Sequence, residues 1–337
     1  MFIFKNLTRI AIAGLVGSLL AACSSSEVRQ QPQEVSLRPM TAVLAAGSLT
    51  DDPATKADPE LGGTTLGTDH TYVVYLSASC DQQPKFMEGQ LYSYITATTN
   101  WRASSAAGTA DPVYWPAAEK LDFLGLACKP AAYTALAPAW DATTSADAVT
   151  ITGWDVYADQ YDVMYASSNQ QAQTTNAGVV DMEFRHTCAL ICFTAESTIA
   201  DAFTINGITI KGLTYKGDLT VDNSRTSLAA SWSNFSAPAD KLAYNLSGTT
   251  ADYAYDVTTS AAQCCQHLLV PPQSSCSLVL TYTTRGAATS LDYTIRLPRT
   301  VWKAGYKYTY ALKITPTEIT VTPTVSDWDG TPVDVTL

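Results

Sequence analysis

Histidine is scarce in this chain, at three among 337 residues, and charge is thin, with Asp, Glu, Lys and Arg together making 15%. His70, His186 and His267 stand in no H-E-x-x-H pattern, and G-x-S-x-G, G-x-x-x-x-G-K-S/T and G-x-G-x-x-G are missing. The usual signatures of zinc hydrolysis, nucleophilic hydrolysis and nucleotide binding are therefore lacking. Twenty basic against 31 acidic residues give a net charge of −11, which argues against a nucleic-acid partner. No apolar run reaches the 18 residues of a membrane-spanning helix. Long helical patterns of Leu, Glu and Lys are also absent. What remains is 46% apolar residues with 18 Tyr and 7 Trp, enough for β-structure with real cores, over a length suited to two domains.

The start of the chain reads as an address. Lys5 and Arg9 form a positive region, Ile10 to Leu20 is apolar, and Leu20-Ala21-Ala22-Cys23 closes as a small-residue cleavage site. Eleven apolar residues reach about 16 Å as a helix, short of a bilayer core. The L-A-A-C box with Ser24–Ser26 resembles a bacterial lipoprotein signal, which predicts removal of residues 1–22 and lipid on Cys23, a palmitate-bearing anchor in the outer membrane. Eight cysteines in an exported chain then leave seven, an odd number. Cys264 and Cys265, on opposite faces of a strand, are poor partners for each other, and either is placed to meet Cys276 across a hairpin at Pro271-Pro272-Gln273. Buried free thiols are the plainer expectation.

Residues 23–66 have the composition of a tether, rich in Ser, Gln, Pro, Thr and Asp, broken by one apolar stretch at 35–46. Strand-like runs follow: Tyr72 to Ala78, Leu91 to Thr98, Lys120 to Ala127, Tyr161 to Ala166, Val179 to Ala195 and Phe203 to Leu213. In the fifth, Phe184, His186, Cys188, Leu190 and Cys192 share one face, with Ala189, Ile191 and Phe193 on the other. A polar stretch at Asp222–Thr226 precedes a second set, including Ser277 to Thr283, Leu291 to Leu297, Tyr306 to Thr315 and Ile319 to Val325. Two β-sandwich domains in tandem are predicted, at 67–222 and 223–337.

Chemistry finds little foothold. His186, Cys188 and Cys192 with Cys264, Cys265 and His267 hold the atoms of a zinc site, but mid-strand among Phe184 and Leu190 they read as core, so no metal and no cofactor is expected. Asp51-Asp52 and Asp327-Trp328-Asp329 read as exposed turn acids rather than a glycosidase pair or calcium loop. The chain is expected not to be an enzyme. Its aromatic rings leave one alternative, a monomeric outer-membrane lipoprotein that binds glycans.

A series of segments, in order, resembles the fimbrillin-like family of type V pili. They are Val113-Tyr-Trp-Pro116, Leu121-Asp-Phe123, Asp162-Val-Met-Tyr-Ala166 and Phe184-Arg-His186, then Leu268-Leu-Val-Pro-Pro-Gln273, Trp302-Lys-Ala-Gly-Tyr-Lys-Tyr-Thr-Tyr310 and Val325-Ser-Asp-Trp328. The resemblance covers most of the chain after the signal. It implies an all-β protein of two transthyretin-like sandwiches and the role of a pilus subunit in a cell-surface fimbrium. Its partners would be other fimbrial subunits, the outer membrane through lipid, and a host glycan or protein in cell adhesion.

The resemblance further implies that a first strand is cut away and replaced by a strand from a neighbouring subunit. An open sheet supplies unpaired N–H and C=O groups to such an addition. The candidate first strand is 35–46. The family's cut after arginine would fall where this chain has Thr55-Lys56-Ala57, so Lys56 is a candidate cut point, with Arg29 and Arg38 as alternatives. The candidate donor is the C-terminal region, marked by Ile319, Val321, Val333 and Val335.

Overall fold

A computed structural model describes residues 33–41, 66–81, 83–117, 119–142, 146–224, 226–298 and 301–328. The chain first forms β1 (Ser36–Thr41), β2 (Val73–Ser79), β3 (Met87–Ile95), β4 (Asn100–Ala106), β5 (Thr109–Ala110), β6 (Lys120–Cys128), the helix α1 (Pro130–Leu136), β7 (Ala139–Ala142), β8 (Ala146–Asp155), β9 (Met164–Ala172) and β10 (Val179–His186). It continues as β11 (Ala189–Ser197), β12 (Phe203–Leu213), β13 (Lys216–Ser224), β14 (Ser227–Ser233) and β15 (Ala239–Leu242), then the short β16 (Tyr255–Asp256), β17 (Ala262–Gln263), β18 (Leu268–Val270) and β19 (Gln273–Ser274). Last come β20 (Ser277–Thr284), β21 (Leu291–Arg296), β22 (Val301–Trp302), β23 (Tyr306–Ile314) and β24 (Ile319–Asp327). The fold is all-β. No helix among the described residues is long and apolar enough to cross a membrane.

Alternation decides most of these strands. Val180, Met182 and Phe184 of β10 point one way with Asp181, Glu183 and Arg185 between them, and β23 buries Tyr306, Tyr308, Tyr310, Leu312 and Ile314 in the same rhythm. β6 differs, being buried on both faces from Leu121 to Cys128. The reason is its place between two layers. Leu121 and Phe123 fill one core, while Leu124 and Leu126 face Val149, Ile151, Leu219 and Val221 of a sheet ordered β14-β13-β8-β7. At Gly125 a Cβ would come within 3.0 Å of Met182 Cε and 3.3 Å of Leu76 Cδ1, so the first core is closely filled beside this residue.

The first large sheet runs β1-β10-β9-β6-β2-β3-β4-β5, and β1 also pairs with β4. That second pairing rolls the sheet into a closed ring around Val74, Leu76, Tyr92, Trp101, Phe123 and Phe184. The second core is a sandwich. β17-β11-β23-β24, with β18 on β11, faces β15-β12-β20-β21, with β16 on β12, across Ile191, Phe193, Ile205, Ile208, Leu280 and Tyr310.

Two expectations are corrected here. The run from Val179 to Ala195 is two strands: β10 ends at His186 in the ring, and β11 begins at Ala189 in the sandwich. His186 and Cys192 therefore belong to different sheets. Thr187 marks the passage, giving its N–H to Val163 O at 3.1 Å and its hydroxyl to the same oxygen at 2.8 Å. The polar stretch near residue 222 is the end of a hairpin, because β13 pairs with β14 through Ser224↔Ser227 and with β8 through Asp222↔Ala148. The boundary expected between 222 and 223 thus falls inside β13.

Candidate functional site

The apolar stretch expected at 35–46 contains β1, with residues 42–46 outside the described set. Val35, Leu37 and Pro39 are buried, while Ser36, Arg38 and Met40 lie on the other face. β10 runs parallel beside β1 over six residue pairs, from Ser36↔Val179 to Thr41↔Phe184. On the other side β4 runs antiparallel through Ser36↔Arg102 and Leu37↔Trp101. Pro39, which has no N–H to donate, follows that short ladder. β1 is thus the strand that closes the ring.

Its ends are tied in as well. The Val35 N–H donates to Val113 O at 2.8 Å, the Trp115 N–H to Gln33 O at 2.9 Å, and the Leu66 N–H to Pro39 O at 3.1 Å. The Gln33 side-chain amide donates to Ala177 O. Beside it Gly178 has φ +80°, a backbone conformation that favours glycine, and a Cβ there would fall 2.7 Å from Gln33 Cδ and push the Gln33 side chain aside.

Charge frames the strand. Outside the ring, the Arg38 guanidinium donates to both oxygens of Asp181 at 2.6 and 2.7 Å. That hydrogen bond, and then the Asp181 charge, hold the guanidinium proton more tightly than usual. One residue before the first inward side chain, Glu34 pairs with Arg102, their side chains 9% and 27% exposed. Glu183, opposite Met40, has its carboxyl pushed up by burial against the pull of Arg185.

Burying Val35 and Leu37 is worth roughly 1.5–3 kcal/mol each, before any ladder bond is counted. Without β1, the backbone of β10 lacks a partner along six residues, and Val180, Met182, Phe184 and Trp101 lose a covering neighbour.

The other expected site residues scatter. Ile319 and Val321 lie in β24, whose nine antiparallel pairs with β23 run from Ile319↔Ile314 to Asp327↔Tyr306. Asp327 thus ends a strand, where a turn acid was expected. Trp328 follows, 1% exposed and stacked on His186 with ring centroids 3.7 Å apart. His186 Nδ1 lies 2.8 Å from Asp162 Oδ1. Cys23, Arg29, Lys56, Val333 and Val335 lie outside the described residues.

The seven cysteines from Cys80 to Cys276 are all free thiols. Cys264 and Cys265 are not on opposite faces of a strand. They follow β17 in a loop and are both fully buried in the sandwich core. Burial pushes Cys276 up to about 11 and Cys128 up to about 12, beyond ordinary thiolate chemistry. Among the described residues no three His, Cys, Asp or Glu side chains gather as a metal site. The rings considered for sugar stacking mostly point inward, with Trp101, Trp115, Trp154, Trp302 and Trp328 buried.

A model of the family described as fimbrillin-like matches residues 61–328. The chain belongs to the fimbrillin-like family. Its match begins after β1, so the closing strand lies outside the matched span. Fimbrillin-like proteins are structural rather than enzymatic, which puts the chain among cell-surface fimbrial proteins that assemble with one another. In fold, the chain is similar to a fimbrial protein from Bacteroides vulgatus, with TM-score 0.57 and 14% identity over 88% of this chain and 99% of that one. It is likewise similar to candidate cell adhesion proteins from Bacteroides uniformis (TM-score 0.52, 15% identity, 88% and 99% covered) and Bacteroides ovatus (0.53, 14%, 88% and 98%). No curated protein matches the chain.

Proposed function

We propose that this fimbrillin-like chain is a pilus subunit that polymerises by giving up β1 and accepting a strand of a neighbouring subunit in its place. The observation that carries the reading is the position of β1 as the one strand bridging β10 and β4, joined to the rest of the chain through the 42–65 segment. A strand arriving there gains a ladder and a core at once, which is strand addition in its strongest form. In this reading the chain is exported as a lipoprotein through Cys23, and cleavage at Lys56 frees β1. Arg29 lies before β1, so a cut there leaves β1 attached. Arg38 lies within β1, tied to Asp181. The donor comes from the C-terminal region, from the segment of Ile319 and Val321 or that of Val333 and Val335. The two-domain reading then takes the passage at Thr187 as its joint, in place of residue 222.

Cleavage tests this directly. Protein cut after Lys56 is expected to form ladders on a denaturing gel run without boiling, and uncut protein to remain monomeric. Removing residues 333–337 tests which C-terminal segment donates. A cut chain that keeps its N-terminal fragment and stays monomeric would defeat the reading.

A further inference from the structure

The β1 slot carries charge at fixed places, and the two charges are not equal. Arg38 and Asp181 meet in the open, with side chains 56% and 36% exposed, so water and salt compensate either one when its partner leaves. Arg102 and Glu34 meet largely out of water, at 27% and 9%. Removing a carboxylate from such a pair strands the remaining cation, and that loss far exceeds the loss of a surface pair. Arg102 is also fixed in place, since β4 holds it opposite Ser36 on one side and Ser93 on the other.

We propose that Arg102 selects the occupant of the slot, admitting an extended segment with a carboxylate immediately before the first of its inward-facing apolar residues. The inference rests on the strand-exchange reading and specifies the incoming partner. The leaving strand reads Glu34-Val35-Ser36-Leu37-Arg38-Pro39, and Glu318-Ile319-Thr320-Val321-Thr322-Pro323 repeats its chemistry through to the proline. Acid, β-branched residue, hydroxyl, apolar residue and proline recur at the same places, with Thr322 alone replacing the cation that faces Asp181. Further on, Asp334-Val335-Thr336-Leu337 repeats the acid, β-branched, hydroxyl and apolar order of Glu34–Leu37, with the shorter aspartate in place of glutamate and without the proline. The glutamate, which reaches Arg102 as Glu34 does, and the proline at the place of Pro39 therefore favour the Glu318–Pro323 segment of a second copy over Asp334–Leu337.

The test uses the full chain with a site for a sequence-specific protease inserted within residues 47–60, cut so that β1 is held only by its slot. Three labelled peptides are offered: residues 317–325, the same peptide with Glu318→Lys, and residues 331–337. Incorporation and release of the N-terminal fragment are followed together. The 317–325 peptide is expected to displace the fragment, and the Glu318→Lys peptide to be weaker by about ten-fold or more. Arg102→Glu is expected to reverse that preference. The peptide comparison on the unsubstituted slot stands even if that variant fails to fold. Equal incorporation of the 317–325 peptide and its Glu318→Lys counterpart would overturn selection by Arg102 while leaving exchange intact. No incorporation of any peptide would instead sink the exchange reading itself, and this inference with it.

Discussion

The first and last strands of the described chain are held in opposite ways. β1 sits between two neighbours, parallel to β10 and antiparallel to β4, with Leu37 and Pro39 sealed in the ring. β24 has one neighbour, β23, and lies at the border of its sheet with Thr320, Thr322, Thr324 and Ser326 exposed. Taking away the first breaks a closed ring and uncovers its core. Taking away the second moves a border inward by one strand. The pair shows why a slot for exchange belongs at the ring: an incoming strand gains most where the opening is most costly.

Substituting inward residues of both strands should break this comparison open. Leu37→Asp places an unpaired carboxylate in the ring and is expected to cost roughly 4 kcal/mol or more in urea unfolding. Val321→Asp, at a half-buried site of β24, should cost roughly 1 kcal/mol. Equal losses would erase the distinction. The Leu37→Asp variant should also make Trp101, paired with Leu37, open to acrylamide quenching.

Trp328→Ala comes next, at about 3 kcal/mol, because the indole is buried beside His186 at the end of β24. It would show that β24 is held by the residue that follows it as much as by its border ladder. Gly178→Ala should cost about 2 kcal/mol through strain at φ +80° and the clash with Gln33, and should speed loss of the β1 fragment from nicked protein. Arg38→Ala is expected to cost less than about 1 kcal/mol, with the difference shrinking as salt is added.

Much of the strand pattern was legible in the chain itself. Phe203 to Leu213 matches β12 end to end, and the runs at Ser277, Leu291, Tyr306 and Ile319 match β20, β21, β23 and β24 within a residue or two, because apolar alternation and turn formers coincide there. β4 and β8 escaped notice. Asn100–Ala106 and Ala146–Asp155 are built largely from Ser, Thr, Ala and Asp, and their burial comes from neighbours far along the chain. The passage from β10 to β11 was hidden because alternation continues through His186-Thr187-Cys188 with neither glycine nor proline to mark it.

The closing strand was visible as the one apolar stretch of a polar segment. Its partners were not, since pairing with residues 179–184 and 101–102 depends on contacts too distant for local pattern to report. For the same reason Arg102 carried no signal. It acquires significance only when Glu34 is brought beside it.

The passage at Thr187 also bears on tension. A pull on whatever occupies the β1 slot is passed along the ladder to β10, continues through the two covalently linked residues Thr187 and Cys188 into β11, and reaches β23 through another parallel ladder. Both ladders would be loaded lengthwise, so their bonds share the force together instead of opening one after another. A fibre of such units would resist stretching through its strands and not through the packing between its cores.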